Sequence, residues 1–302
     1  METDEKNFAA GDSNRITREY FDSLLIETRY IDSVIPNTTL ELYGEKFSTP
    51  VMTAALSHLD KFYKECKNGM VETAKGAFAA GAVMWAGMGD DAELEAITAT
   101  GARTIKIIKP YADEELIYSQ VRHAEKCGAL AVGMDIDHSF ARTGQYDNVQ
   151  GYAMNAKTLD DLKKYVRATR LPFIVKGVLS TKDAEKCLEA GVKGIVVSHH
   201  HGISDYAIPP LMVLPKIVEV IGGRMPIFVD CGINRGFDAF KALALGATAV
   251  SVGRAVISDL VREGAEGVKK RIEAMNSELA GAMARTGSPD IRHIDPEVLW
   301  KK

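Results

Sequence analysis

Apolar runs that stop abruptly on a polar or charged side chain mark where this chain could do chemistry. Lys109 follows TIKII, Asp135 ends LAVGMD, Lys176 follows PFIV, Ser198 with His199, His200 and His201 follows GIVV, Asp230 ends PIFVD, and Gly253-Arg254 ends ATAVSVG. Ser57, His58 and Gly87 close two earlier runs. A charge in apolar surroundings is costly unless it is paired, so each of these asks for a partner, and function explains them better than architecture does. Two loops share one chemistry: Asp230-Cys231-Gly232-Ile233-Asn234-Arg235-Gly236 and Gly253-Arg254. Glycines let backbone approach a ligand closely, the N–H groups of a following helix can bind an anion, and Arg254 or Arg235 supplies a planar, permanent cation. That combination suits a phosphorylated ligand without saying which. The run His199-His200-His201 invites a metal. On an extended segment alternate side chains diverge, so only His199 and His201 could face together. Asp135 or Asp137 with His138 could add ligands, but no HxxxH or paired-cysteine spacing supports such a site, and the expectation is no metal.

The elements that must position these residues alternate regularly. Eight β-branched, apolar runs begin near Pro50, Gly81, Thr104, Leu130, Pro172, Gly194, Pro226 and Ala247. Helical patterns cover residues 72–80, 113–127, 159–168, 181–190, 211–221 and 237–245. Strands that are nearly continuous in apolar residues are buried on both faces, as parallel sheets are. Gly81, Gly128, Gly191 and Gly246 each follow a helical pattern at the position where a helix stops. Eight strand–helix units predict an α/β fold, a (β/α)8 TIM barrel in a single domain. An open doubly wound sheet would favour a GxGxxG turn after an early strand, which this chain lacks. Residues 1–45 are expected to cap the barrel floor, residues 46–302 to form the barrel, and residues 256–287 to close it as a long helix. Barrel chemistry gathers where strands end and loops begin, and the residues singled out above lie there.

Composition narrows the class. The 302 residues are 46% hydrophobic and carry 37 basic against 41 acidic side chains, a net charge of -4. This excludes a disordered or fibrous chain and gives no electrostatic footprint for nucleic acid or an anionic membrane. No apolar run approaches the ~20 residues that span a bilayer. The segment METDEKNFAAGDSNR has neither the cationic nor the apolar region of a signal peptide. Cys66, Cys127, Cys187 and Cys231 are scattered without a CxxC, which predicts a reduced, cytoplasmic protein; the charge balance leaves no nucleic-acid or membrane partner, and the two phosphate-type loops point to a small-molecule substrate.

Three segments, FIVKGV from Phe173, GIVVSHHHG from Gly194 and DCGINRGFDAFKALALGATAVSVGR from Asp230, resemble the FMN-dependent α-hydroxy-acid oxidases and dehydrogenases, a family that includes glycolate oxidase, lactate oxidase and mandelate dehydrogenase. The likeness extends from about Ile16 to Pro289, with LYGEKFSTPVMTAAL at the first barrel strand. It implies an FMN cofactor and hydride transfer from a hydroxylated substrate to the flavin. By the same resemblance Asp230, Gly232, Asn234, Gly253 and Arg254 contact the ribityl phosphate. Lys176 stands against the flavin N1–C2=O edge, where a fixed cation stabilises the charge gained on reduction. Ser198 and the backbone of Ala54, Ala55, Leu56 and Ser57 add flavin contacts, and Gly87 stands where the family often has serine. His200 matches the base that removes the substrate hydroxyl proton, with His201 left open as the alternative. Asp135 matches the aspartate that orients this imidazole, and Arg142 one of two arginines that hold the substrate carboxylate. Family resemblance also implies a homo-oligomer, a tetramer.

The departures from the family pattern concern the substrate. The second carboxylate-binding arginine is missing, with Gly202 or Ile203 near its place, and strand three reads Lys106-Ile107-Ile108-Lys109 where the family has a glutamine and then a tyrosine. Lys109 could substitute as a point charge of different geometry. The loop over residues 141–156 is short. A substrate other than a standard small 2-hydroxy acid is therefore expected, with the electron acceptor left open. The alternative is an FMN-dependent reductase or isomerase on the same barrel.

Overall fold

The computed structural model describes residues 10–63 and 66–302; residues 1–9 of the expected cap lie outside the described residues. Eight parallel strands form one sheet: β1 Val51–Thr53, β2 Met84–Ala86, β3 Thr104–Ile108, β4 Ala131–Asp135, β5 Phe173–Val178, β6 Gly194–Val197, β7 Ile227–Val229 and β8 Ala249–Val252. They run in the order β1-β8-β7-β6-β5-β4-β3-β2. The sheet closes on itself where Thr53 N–H donates to Val83 O at 3.2 Å and Gly87 N–H to Leu56 O at 2.8 Å, giving the expected barrel. Every strand is buried because neighbours cover both faces. Trp85 and Phe228 meet edge to face inside, with ring centroids 5.3 Å apart, so the interior is packed side chain and the chemistry is left to the rim.

The helices packed around the barrel are α1 Gly69–Ala79, α2 Asp91–Thr98, α3 Glu114–Lys126, α4 Leu159–Arg167, α5 Thr181–Ala190, α6 Pro210–Ile221, α7 Gly236–Ala244 and α8 Arg254–Arg285, besides a short one at Leu59–Phe62 and one in the N-terminal segment. The four glycines read as stops all have positive φ, from 64° at Gly81 to 98° at Gly246. Helix α2 is not among the helical patterns read from sequence, because it buries only Leu94 and Ile97, too few to show a period. The expected closing helix begins two residues earlier, at Arg254, and is broken at Gly264, where φ is 60° and ψ -140°.

The N-terminal segment differs from a simple floor cap. Its hairpin, Leu40–Leu42 with Glu45–Phe47, does lie at the strand starts, where Tyr43 Oη donates to Lys193 O at 2.8 Å. The helix Ser13–Ser23 instead sits at the opposite end, against the loops that follow β6 and β7. Arg18 holds Asp238 through two bonds of 3.1 and 3.0 Å, and Ser13 Oγ donates to Ser204 O at 2.6 Å. One segment thus covers the floor and walls the mouth.

Candidate active site

At the C-terminal ends of the strands, Ala54, Ala55, Leu56, Lys176, Asp230, Gly232, Asn234, Gly253 and Arg254 line a single cavity together with His200 and His201. Nine predicted cofactor contacts and both histidine candidates therefore converge. The cradle suits a phosphate. Gly253 caps α8 with no side-chain acceptor for its first-turn N–H groups, and a Cβ there would meet only Ala54 Cβ, at 3.5 Å. Arg254 is exposed at the cavity and joins no ion pair among the described residues. Free amides, a helix N-terminus and an uncommitted guanidinium form an anion site. Gly232 has φ 86°, and a Cβ would approach Phe21 Cε2 at 2.8 Å and Thr17 Cγ2 at 2.9 Å, so only glycine fits where the loop presses against the N-terminal helix.

Behind the cradle lies a buried charge network. Neighbouring strands β4 and β5 pair Lys176 directly with Asp135. Asp135 is clasped from both sides, by Lys176 Nζ at 3.0 Å and Lys109 Nζ at 2.7 Å. Burial alone would raise the Asp135 carboxyl, but Lys176, Lys109 and His200 hold it well below the usual carboxylate range. Burial likewise pulls the Lys176 ammonium down, and Asp135, with Asp230 at 3.6 Å, overrides this and holds it well above its ordinary value. Lys176 is thus a permanent cation at the cavity wall.

The three histidines part company because the backbone at His200 and His201 is left-handed, with φ 47° and 56°, rather than extended. His199 accepts Gly202 N–H at Nδ1 (2.9 Å) and faces Thr17 Oγ1 through Nε2 at 2.7 Å. His201 Nδ1 faces Asn14 Oδ1 at 2.7 Å. Both therefore serve the N-terminal helix, while His200 turns into the charge network. Its Nδ1 lies 2.8 Å from Asp137 Oδ1, 3.4 Å from Asp135 Oδ1 and 3.2 Å from Lys176 Nζ. Burial lowers the His200 pKa, but Asp135 and Asp137 raise it above the ordinary imidazole value against the opposing charge of Lys176. His201 is held low by burial and by Arg254.

The other predicted residues stand apart from the cavity wall. Ser198 Oγ accepts His200 N–H at 3.0 Å and so fixes the histidine turn. Gly87 is packed behind β1, where a Cβ would meet Ala55 O at 2.7 Å, which explains why a serine does not fit; its carbonyl takes Lys106 Nζ at 2.6 Å. Burial lowers Lys106 to about 8, against the acidic residues of α2. Lys109 is committed to Asp135, not free for a substrate. Arg142 is exposed and lines a separate recess with Phe140 and Asp205, which shares Asp137 with the histidine network. Sequence reasoning missed the Lys109–Asp135 pair, whose signal was available: adjacent strands β3 and β4 align Ile108 with Met134, so the next residues meet. It considered Asp137 and His138 only as metal ligands. The structure makes Asp137 the nearest carboxylate to His200 and places His138 Nε2 3.1 Å from His200 Nε2.

Known proteins resemble this chain in sequence and in fold. A family model described as FMN-dependent dehydrogenase matches residues 5–158 and 141–301. The chain is 32% identical to a peroxisomal (S)-2-hydroxyacid oxidase of Arabidopsis thaliana over 288 residues, covering 84% of this chain and 78% of that protein. It is 30% identical to the glycolate oxidase of Spinacia oleracea, over 92% of this chain and 84% of the relative. Among solved structures, mandelate oxidase with (S)-2-phenylpropionate superposes with a TM-score of 0.85 at 27% identity, covering 97% of this chain and 90% of that one.

Proposed function

Because the chain belongs to the FMN-dependent dehydrogenase family, the α-hydroxy-acid oxidases and dehydrogenases, we propose that it oxidises a 2-hydroxy acid bulkier than glycolate or lactate, with His200 as the base. The observation that carries this reading is one imidazole, fixed through Nδ1 by Asp137 and Asp135, at the wall of the same cavity as a buried lysine and an open phosphate cradle. Gly253, Arg254, Gly232 and Asn234 would hold the FMN phosphate, Asp230 the ribityl chain, the backbone of Ala54, Ala55 and Leu56 one side of the ring, and Lys176 its polar edge. Bound FMN supplies the two-electron acceptor for hydride leaving the substrate Cα. His200 takes the hydroxyl proton at Nε2, the ring nitrogen not committed to Asp137, and Asp137 and Asp135 stabilise the imidazolium that results. Lys176 contributes a cation that needs no reorganisation during the reaction.

Arg142 supports a carboxylate substrate, since it is the cation of the recess that adjoins Asp137. Phe140 and Tyr146 stack beside it, 5.3 Å apart and more than half exposed, a surface suited to a large apolar substituent. The cluster Tyr30, Ile31, Val34 and Ile35, with Ile31 91% and Ile35 95% exposed, supports a homo-oligomer, the tetramer expected from the resemblance. Cys127, Cys187 and Cys231, which form no disulfide, support a reducing compartment, the cytoplasm, and among the described residues no helix is long and apolar enough to cross a membrane. The test is anaerobic mixing of the flavin-loaded protein with a panel of 2-hydroxy acids of increasing size. Bleaching of the flavin band by aryl- or long-chain acids is expected; bleaching only by NAD(P)H, or by none of the acids, would overturn the reading.

A further inference from the structure

The nitrogen that must receive the substrate proton has a neighbour with no assigned role. His200 Nε2 lies 3.1 Å from His138 Nε2, the rings meeting edge to face at 88° with centroids 4.2 Å apart. On its other side, His138 Nδ1 lies 3.4 Å from Asp147 Oδ2. Asp147 is held in place by its backbone, which donates to Ser139 O at 3.1 Å and accepts Met154 N–H at 2.9 Å. Its Oδ1 accepts Asn148 N–H at 2.8 Å, and the side chain is 24% exposed.

We propose that His138 is a proton-relay residue that acts through His200: it accepts from His200 Nε2 the proton taken from the substrate hydroxyl and releases its own Nδ1 proton to Asp147 and the solvent. The Nδ1 side of His200 is taken up by carboxylates. There the imidazole faces Asp137, whose Oδ2 is buried without a partner, and Asp135, which two lysines already clasp. A substrate seated over the cavity closes the direct route from His200 to water, whereas the path through His138 ends on a partly exposed carboxylate. The charges facing His138 are Lys109, His200, Asp135, Asp137 and Asp147; those facing His200 are Asp135, Asp137, Lys176 and His138. Burial, Lys109 and His200 hold the His138 imidazole below its ordinary pKa, so it rests neutral at neutral pH and does not retain a proton that reaches it. The charge balance closes: one proton leaves the hydroxyl, one reaches Asp147, and both imidazoles return to their starting charge, with the His138 proton moved from Nδ1 to Nε2.

This inference rests on His200 being the base, so its test carries one readout that is free of turnover. In the flavin-loaded protein, imidazole 15N NMR should show His200 and His138 titrating as a coupled pair, and His138→Gln should leave His200 titrating in a single step. In turnover, His138→Ala should lower kcat at least about tenfold with little change in KM, and added imidazole should restore much of it. His138→Gln, which keeps the packing and a hydrogen bond, should be equally slow, separating relay from folding. An unaltered His200 titration, a kcat within twofold of wild type, or a loss that imidazole does not rescue would overturn the relay. If no hydroxy acid bleaches the wild-type flavin, the functional reading fails by itself and the NMR titration alone decides whether the two imidazoles share a proton.

Discussion

Replacing Lys176 by methionine tests the charge network most severely. The ammonium lies 3.0 Å from Asp135 Oδ1 and 3.6 Å from Asp230 Oδ2 with only 7% of its side chain exposed. At an effective dielectric constant near 20, a pair 4 Å apart is worth about 4 kcal/mol before desolvation. Stripping one partner from a buried pair costs about 3–5 kcal/mol, because a charge is left unpaired. Asp135 is not wholly orphaned, since Lys109 remains at 2.7 Å. The expected loss is therefore about 2–4 kcal/mol, a fall in Tm of roughly 3–6 °C for a chain of this size. The loss also has a pH signature. The Asp135 carboxyl is depressed in the fold, so its stabilisation is present above the unfolded carboxylate pKa and disappears as pH falls through the folded value. The Lys176→Met penalty should be largest at neutral pH and shrink only as pH falls below ~4. Urea unfolding across that range, in a double-mutant cycle with Asp135→Asn, would measure it. A penalty independent of pH, or additive single mutants, would refute the reasoning, because contacting charges must couple.

Three further outcomes follow from the same geometry. Because Asp135 and Asp137 raise the His200 pKa, the rate of anaerobic flavin reduction should climb with pH through an inflection above 6.5, and Asp137→Asn should move that inflection down; an unmoved profile would remove Asp137 from the site. Arg254→Ala deletes the uncommitted cation of the phosphate cradle and should weaken FMN binding roughly 10–100-fold, read from flavin fluorescence on titration, with a change under twofold contradicting the cradle. Gly232→Ala places a methyl group 2.8 Å from Phe21 in a left-handed backbone and should cost about 1–3 kcal/mol, visible as a lower urea midpoint; a neutral substitution would mean that the N-terminal helix is not seated there.

Much of this architecture was legible in the sequence. PFIVKG and LAVGMD announce β5 and β4 as apolar runs that reach Lys176 and Asp135, too short for a buried helix and preceded by Pro172 and Gly128. The glycine stops were equally legible, as few other residues adopt their φ. What escaped depends on contacts between distant segments. The helix Ser13–Ser23 is amphipathic like any other, and nothing local says that its Thr17 and Asn14 will meet His199 and His201 at the mouth. Asp137 and His138 sit in a short 3-10 turn over residues 136–139, and only that turn, facing the left-handed pair His200-His201, brings them to the base. Asp135 was read as the carboxylate that orients His200, whereas the fold gives it two lysines and sets Asp137 closer to the ring. The free cation expected at Lys109 is consumed by that arrangement.

The crystal structure of the flavin-loaded protein tests the central claim most directly. The FMN phosphate should lie within hydrogen-bond distance of Arg254 and the first amides of α8, with Lys176 Nζ on the polar edge of the ring and His200 Nε2 facing the same cavity. A phosphate bound elsewhere, or a ring that leaves Lys176 and His200 on opposite sides of the barrel wall, would contradict it.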